Sequence, residues 1–147
     1  MRKVIYLFIF IIFFQPTYSS SSNYLMLKNN EVNDRYGPGF SYPIKFKYKK
    51  RFLPLKVIDK KENFRKIIDH KKNSGWIHIS QLKPSKSLII LEDKIVFKKP
   101  NKFSKPILKL QSGRLVLVKK CKINWCKIKT ENYAGWILNS QVWGLID

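Results

Sequence analysis

The side chains with chemistry to offer gather around one loop and one cysteine pair. Tyr36, Phe40 and Tyr42 flank Gly37-Pro38-Gly39, and Trp76 lies further on in Gly75-Trp76-Ile77. Aromatic rings held beside a tight turn form a shallow apolar groove, suited to proline-containing peptides or the faces of sugar rings. Neighbouring lysines would meet carboxylates there. For Trp76, and for Trp136 in a matching position, closing a small core is the competing role. The cysteines stand in Cys121-Lys122-Ile123-Asn124-Trp125-Cys126, with Asn124 as the turn former. If this segment is a hairpin, the two sulfurs face each other across its strands. If the chain is exported, this hairpin spacing predicts a disulfide, with reduced thiols as the alternative. A lone pair lacks the ligand count for zinc.

Catalytic constellations are missing from the rest of the chain. His70, in Asp69-His70-Lys71-Lys72, reads as a solvated turn histidine, and His78 shares a strand face with Trp76. Neither lies in a known nucleophile motif. The acids are few and scattered, with no close carboxylate pair of the kind glycosidases use. No glycine-rich phosphate loop or metal cluster is visible. The expectation is no enzyme, no metal and no cofactor.

Strands must position these groups. Ile44, Phe46 and Tyr48 alternate with Lys45, Lys47 and Lys49, and Leu53, Leu55 and Val57 alternate with Pro54 and Lys56. Such period-2 patterning predicts half-buried antiparallel strands with lysine outside. Asn63, Asn73-Ser74-Gly75, Ser112-Gly113, Asn124 and Asn132 mark turns. No mature segment keeps helical apolar spacing for three turns, so the fold class is all-β, with small barrels.

The pattern also occurs twice. Pro43-Ile44, Phe64-Arg65-Lys66-Ile67, Gly75-Trp76-Ile77 and Gln81-Leu82 recur about 60 residues later as Pro106-Ile107, Trp125-Cys126-Lys127-Ile128, Gly135-Trp136-Ile137 and Gln141-Val142. The expected layout is residues 1–22 as signal peptide and flexible start, 25–82 as the first repeat, 83–87 as linker and 88–147 as the second repeat with a tail. Units of this size are marginally stable alone, so the short linker implies close packing.

Met1-Arg2-Lys3 is a basic head, Val4 to Phe14 is an unbroken apolar run, and Thr17-Tyr18-Ser19 offers small residues for a cut. That is the layout of a secretory signal peptide. The apolar run covers only about half of a ~30 Å bilayer core, so no stable membrane span is expected. The formal net charge is +21, yet only five of the 30 basic residues are arginine. A general lysine surface and an anionic partner both fit this usage. Export makes nucleic acid the least fitting anion.

Val32-Asn33-x-Arg35-x-Gly37-Pro38-Gly39-x-x-Tyr42-Pro43-Ile44 resembles the opening motif of bacterial SH3 (SH3b-like) domains. Phe64-Arg65-Lys66-Ile67 and Gly75-Trp76-Ile77 resemble that domain's closing strands. The resemblance covers Leu25 to Leu82 and, more loosely, Leu88 to Val142. As a whole the chain is similar to exported tandem SH3 domain-containing proteins of alphaproteobacteria, whose second repeat carries a cysteine pair. The resemblance implies two tandem SH3-like barrels of five or so strands each. Asp34 departs from the family pattern at a usual core position. Phe52 stands near a usual turn glycine, which Gly113 keeps in the second copy. That copy lacks Asn-x-Arg and Gly-Pro-Gly, which assigns recognition to the first.

The expected function is a non-enzymatic, exported (periplasmic or secreted) binding module of the cell envelope. Its partner would be cell-wall glycan, cell-wall peptide or a protein, met through Tyr36, Phe40, Tyr42 and Trp76. The alternative is an accessory protein that docks onto an envelope protein assembly without recognising wall material.

Overall fold

Alternating apolar and lysine residues give short strands separated by turns at asparagine and glycine. The structure, a computed structural model, describes residues 23–144; the expected signal peptide and residues 145–147 of the tail lie outside them. The first repeat contains β1 (Tyr24–Leu27), β2 (Val32–Arg35), β3 (Ile44–Tyr48), β4 (Pro54–Lys61), β5 (Phe64–Ile68), β6 (Ser74–His78) and β7 (Leu82–Pro84). The second contains β8 (Ser87–Ile90), β9 (Lys94–Phe97), β10 (Pro106–Leu110), β11 (Leu115–Lys122), β12 (Trp125–Lys129), β13 (Ala134–Leu138) and β14 (Val142–Gly144). One 3-10 turn, Ile79–Gln81, leads into β7. Among the described residues no helix is long and apolar enough to cross a membrane.

The sheet orders are β3-β2-β6-β5-β4-β1-β7 and β10-β9-β13-β12-β11-β8-β14. Each position in the second matches one in the first, so the duplication seen in sequence is a duplication of topology: two SH3-like β domains in tandem. Each has seven short strands rather than five or so. The additional pairing comes from β7 on β1 and β14 on β8. β7 occupies part of the stretch expected as linker, which leaves Ser85 and Lys86 between strands.

One core holds Leu27, Val32, Tyr48, Leu55, Ile67 and Ile77; the other holds Leu88, Ile90, Val96, Val116, Ile128 and Ile137. The two cores meet at β8. Leu88 and Ile90 point into the second core, while Ile89, on the opposite face, joins the first. Ile89 lies in register with Leu115 on β11 and Trp143 on β14, and both of these also pack on the first core. The Trp143 indole N–H donates to the Pro54 carbonyl at 3.1 Å, and its ring meets Tyr24 edge-on at 5.5 Å. Removing an aliphatic side chain such as Ile89 from water contributes about 1.5–3 kcal/mol.

Two expectations are corrected. Ile44 and Phe46 were expected to face inward, but both are about half exposed, and only Tyr48 of that strand is buried. The cause is topological: β3 is an edge strand. His70 is half-buried rather than solvated, and burial lowers its pKa. The expected disulfide is present. Cys121 and Cys126 are directly opposite on β11 and β12, 4.0 Å apart at Cα, and bonded.

Candidate functional site

The loop between β2 and β3 is the element that sets the first repeat apart, and β2 anchors it through two consecutive charged residues. Register fixes their counterparts: Arg35 faces Trp76 as Phe97 faces Trp136. Asp34 therefore stands where the second repeat has Val96. Both are buried, and one Asp34 oxygen, Oδ1, has no hydrogen-bond partner among the described residues. Gly75 makes the room, because a Cβ there would collide with the Asp34 carboxylate. Burial raises the Asp34 pKa to about 6; Lys45 and the Arg35 backbone N–H pull it down, and Asp69 pushes it up.

Arg35 points the other way along the strand and staples the loop. One guanidinium nitrogen donates to the Tyr42 carbonyl at 2.8 Å and to the Phe40 carbonyl at 3.3 Å. The backbone closes with Tyr36 N–H to Pro43 O and Tyr42 N–H to Gly39 O. The Tyr42 ring lies so close over Gly37 that any Cβ there would clash. Tyr42, itself 45% exposed, braces the loop across Gly37, while Tyr36 and Phe40 stand 64% and 68% exposed.

The four expected site residues are not one ring cluster. Phe40 packs on Phe64 at 5.3 Å and on His78 at 5.1 Å, and those two rings also meet. The Arg35 guanidinium lies 5.6 Å from the Phe40 ring. Tyr36 instead takes the Lys45 ammonium over its ring at 5.7 Å. Trp76 is half-buried on β6, and among the described residues no ring–ring contact joins it to the loop. Trp136, its counterpart, is buried beneath the Lys120 and Lys122 ammonium groups.

A cavity of 190 Å³ opens beside Phe40, lined by Asn33, Arg35, Phe64, His78 and Gln81, with Glu31 at its side. It is smaller than the ~300–1,000 Å³ of whole-ligand sites, so it is sized for one side chain or ring substituent. The His78 Nδ1 lies 2.7 Å from the Ser80 hydroxyl and 3.3 Å from the Ser80 backbone N–H, which holds the ring in place beside Phe40. Phe64 and His78 were not picked out by sequence as site residues. They lie far from the loop in the chain, and only the pairing of β5 with β6, which sets Phe64 opposite His78, brings them together. In the second repeat Trp125 meets Phe97, and Phe103, the match to Phe40, is fully exposed. Among the described residues no group of three or more His, Cys, Asp or Glu side chains is placed to hold a metal.

No curated protein matches the chain. Among solved structures, NlpC2 from Trichomonas vaginalis is similar at 12% identity and TM-score 0.39, over 84% of this chain and 48% of that one. NlpC1 from the same organism is similar at 12% identity and TM-score 0.37, over 82% and 45%. An NlpC/P60 family protein from Bacillus cereus is similar at 10% identity and TM-score 0.36, over 82% and 55%. The chain thus spans about half the length of these structures. The bacterial SH3 domain matches at residues 28–84 and again at 93–144, so most of the sequence is accounted for. Two copies of one fold, the Asn33-x-Arg35 and Gly37-Pro38-Gly39 loop and this double match place the chain in the bacterial SH3 domain family.

Proposed function

We propose that the protein is a non-enzymatic binding module of the cell envelope, whose first repeat recognises cell-wall peptide or glycan. The observation that carries this is Phe40: it is 68% exposed although its loop is fixed by Arg35 and its ring rests on Phe64 and His78. An apolar ring held rigid in solvent loses little entropy on binding, and such rings stack on sugar faces and proline. Export through the expected signal peptide would bring it to the wall. Edge strand β3, with Ile44 and Phe46 exposed beside the loop, favours the second reading, docking onto an envelope protein by strand addition.

Co-sedimentation with purified peptidoglycan tests the first reading. The protein should pellet with the wall at about 0.15 M salt, and Phe40→Ala or Tyr36→Ala should lower retention several-fold. Retention that disappears with moderate salt, or is unchanged in both variants, would leave only adsorption by lysine. Crosslinking to one envelope protein, with no wall retention, would establish the docking reading instead.

A further inference from the structure

The seam between the repeats holds a second cleft, of 610 Å³, to which both repeats contribute. Three half-buried apolar side chains line it: Phe52 from the first repeat, Leu115 and Leu117 from the second. Lys50, Arg114, Lys119 and Lys129 surround them, all exposed, against a single acid, Glu131. None of these four cations makes a side-chain hydrogen bond or ion pair among the described residues; the ion pairs there are Lys47–Glu31, Lys94–Glu92 and Lys109–Asp93. The volume falls within the range of built ligand sites. The cleft is also preformed, because Leu115 packs on the first repeat's core and Trp143 fastens the seam nearby.

Phe52 supplies an independent observation. Its backbone is left-handed, with φ 65°. Its counterpart is Gly113, φ 83°: Phe52 N–H bonds Leu27 O as Gly113 N–H bonds Ile90 O. Glycine is the residue this turn favours, and a Cβ-bearing residue there carries strain. The first repeat keeps a phenylalanine in that strained position and turns its ring to the seam, between the Arg51 guanidinium at 4.7 Å and the Lys83 ammonium at 4.6 Å. A ring-bearing residue at the cleft, where the second repeat has glycine, sets the two turns apart.

We propose that this cleft is a binding site for a short peptide that alternates carboxylate and apolar side chains. The cations would meet the carboxylates, and Phe52, Leu115 and Leu117 would meet the apolar groups. A polyphosphate would leave that apolar floor unused, so the lining favours peptide. The site uses none of the loop residues around Phe40, and it exists only in the tandem, since neither repeat alone supplies both walls.

Calorimetric titration with a synthetic peptide alternating leucine and glutamate tests this. Saturable binding is expected at about 0.15 M salt. Lys119→Gln combined with Lys129→Gln should weaken it roughly fivefold or more. Lys61→Gln combined with Lys102→Gln, which removes the same charge from exposed sites outside the cleft, should leave it unchanged. Phe52→Gly relaxes the turn, so it should keep the fold and lose affinity. No saturable binding, equal loss in the two lysine pairs, unchanged affinity in folded Phe52→Gly, or equally tight binding of polyphosphate would each overturn the proposal. Phe40→Ala, expected to bind this peptide normally, separates this site from the loop.

Discussion

At Asp34 a carboxylate occupies a position that is valine in the sister repeat, with Oδ1 unpaired and Gly75 packed against it as Gly135 packs against Val96. The sign of its pH effect follows from the raised pKa of about 6 against an ordinary 3.8. The folded state holds this proton more tightly than the unfolded chain does. The penalty is therefore absent below pH ~4, grows as pH rises towards 6, and is constant above it. Asp34→Asn keeps the shape without the charge. Its melting temperature should equal that of the wild type near pH 4 and exceed it increasingly up to about pH 6.5, as thermal unfolding across that range would read. A gap that shrinks as pH rises would mean that Lys45 outweighs burial. Asp34 was legible in sequence as a departure from the family pattern. Its burial against Gly75 was not, because that depends on how β2 packs beside β6. Tyr36, Phe40 and Tyr42 were legible because glycine and proline mark their loop. Phe64 and His78 were not, since strand pairing alone sets them under Phe40.

The β11–β12 hairpin shows what an element gains from a covalent tie. Its register shifts between Val118 and Lys120, as β4 and β5 shift between Val57 and Asp59, so the two hairpins share a frame and only one is bridged. The bond joins residues five apart in sequence, and closing so short a loop stabilises by about 2 kcal/mol in the chain-entropy view. Cys121→Ser with Cys126→Ser should therefore lower the urea midpoint modestly and leave the protein folded, with near-ultraviolet circular dichroism intact. Loss of fold in that variant would show that the bridge holds more than its own hairpin. Alternation located most strands, and the repeat supplied their equivalence. Alternation failed for β3, where Ile44 and Phe46 look inward-facing by period, because it does not say which strand is at the edge. It was silent at β8, since Leu88-Ile89-Ile90 is apolar at every step; the structure resolves this by giving each face a different core.

Across the molecule, the two repeats dock because equivalent positions differ in kind. Leu115, Ile89 and Trp143 form one row on the second sheet, while the matching row of the first is Pro54, Met26 and Lys83. An apolar row against a mixed one lets a single pair form without inviting further copies into a chain of repeats. Trp143→Ala should cost about 2–4 kcal/mol and divide one cooperative urea transition into two, followed by Trp fluorescence and circular dichroism together. Coincident transitions in that variant would show that Ile89 and Leu115 suffice to couple the repeats. The same tryptophan also places a clock on biosynthesis. Its partner Pro54 lies 89 residues earlier, an interval of roughly 5–20 s at ordinary elongation rates. Through that interval the first repeat has its own strands, and Ile89 and Leu115 reach its core before the Trp143 ring does.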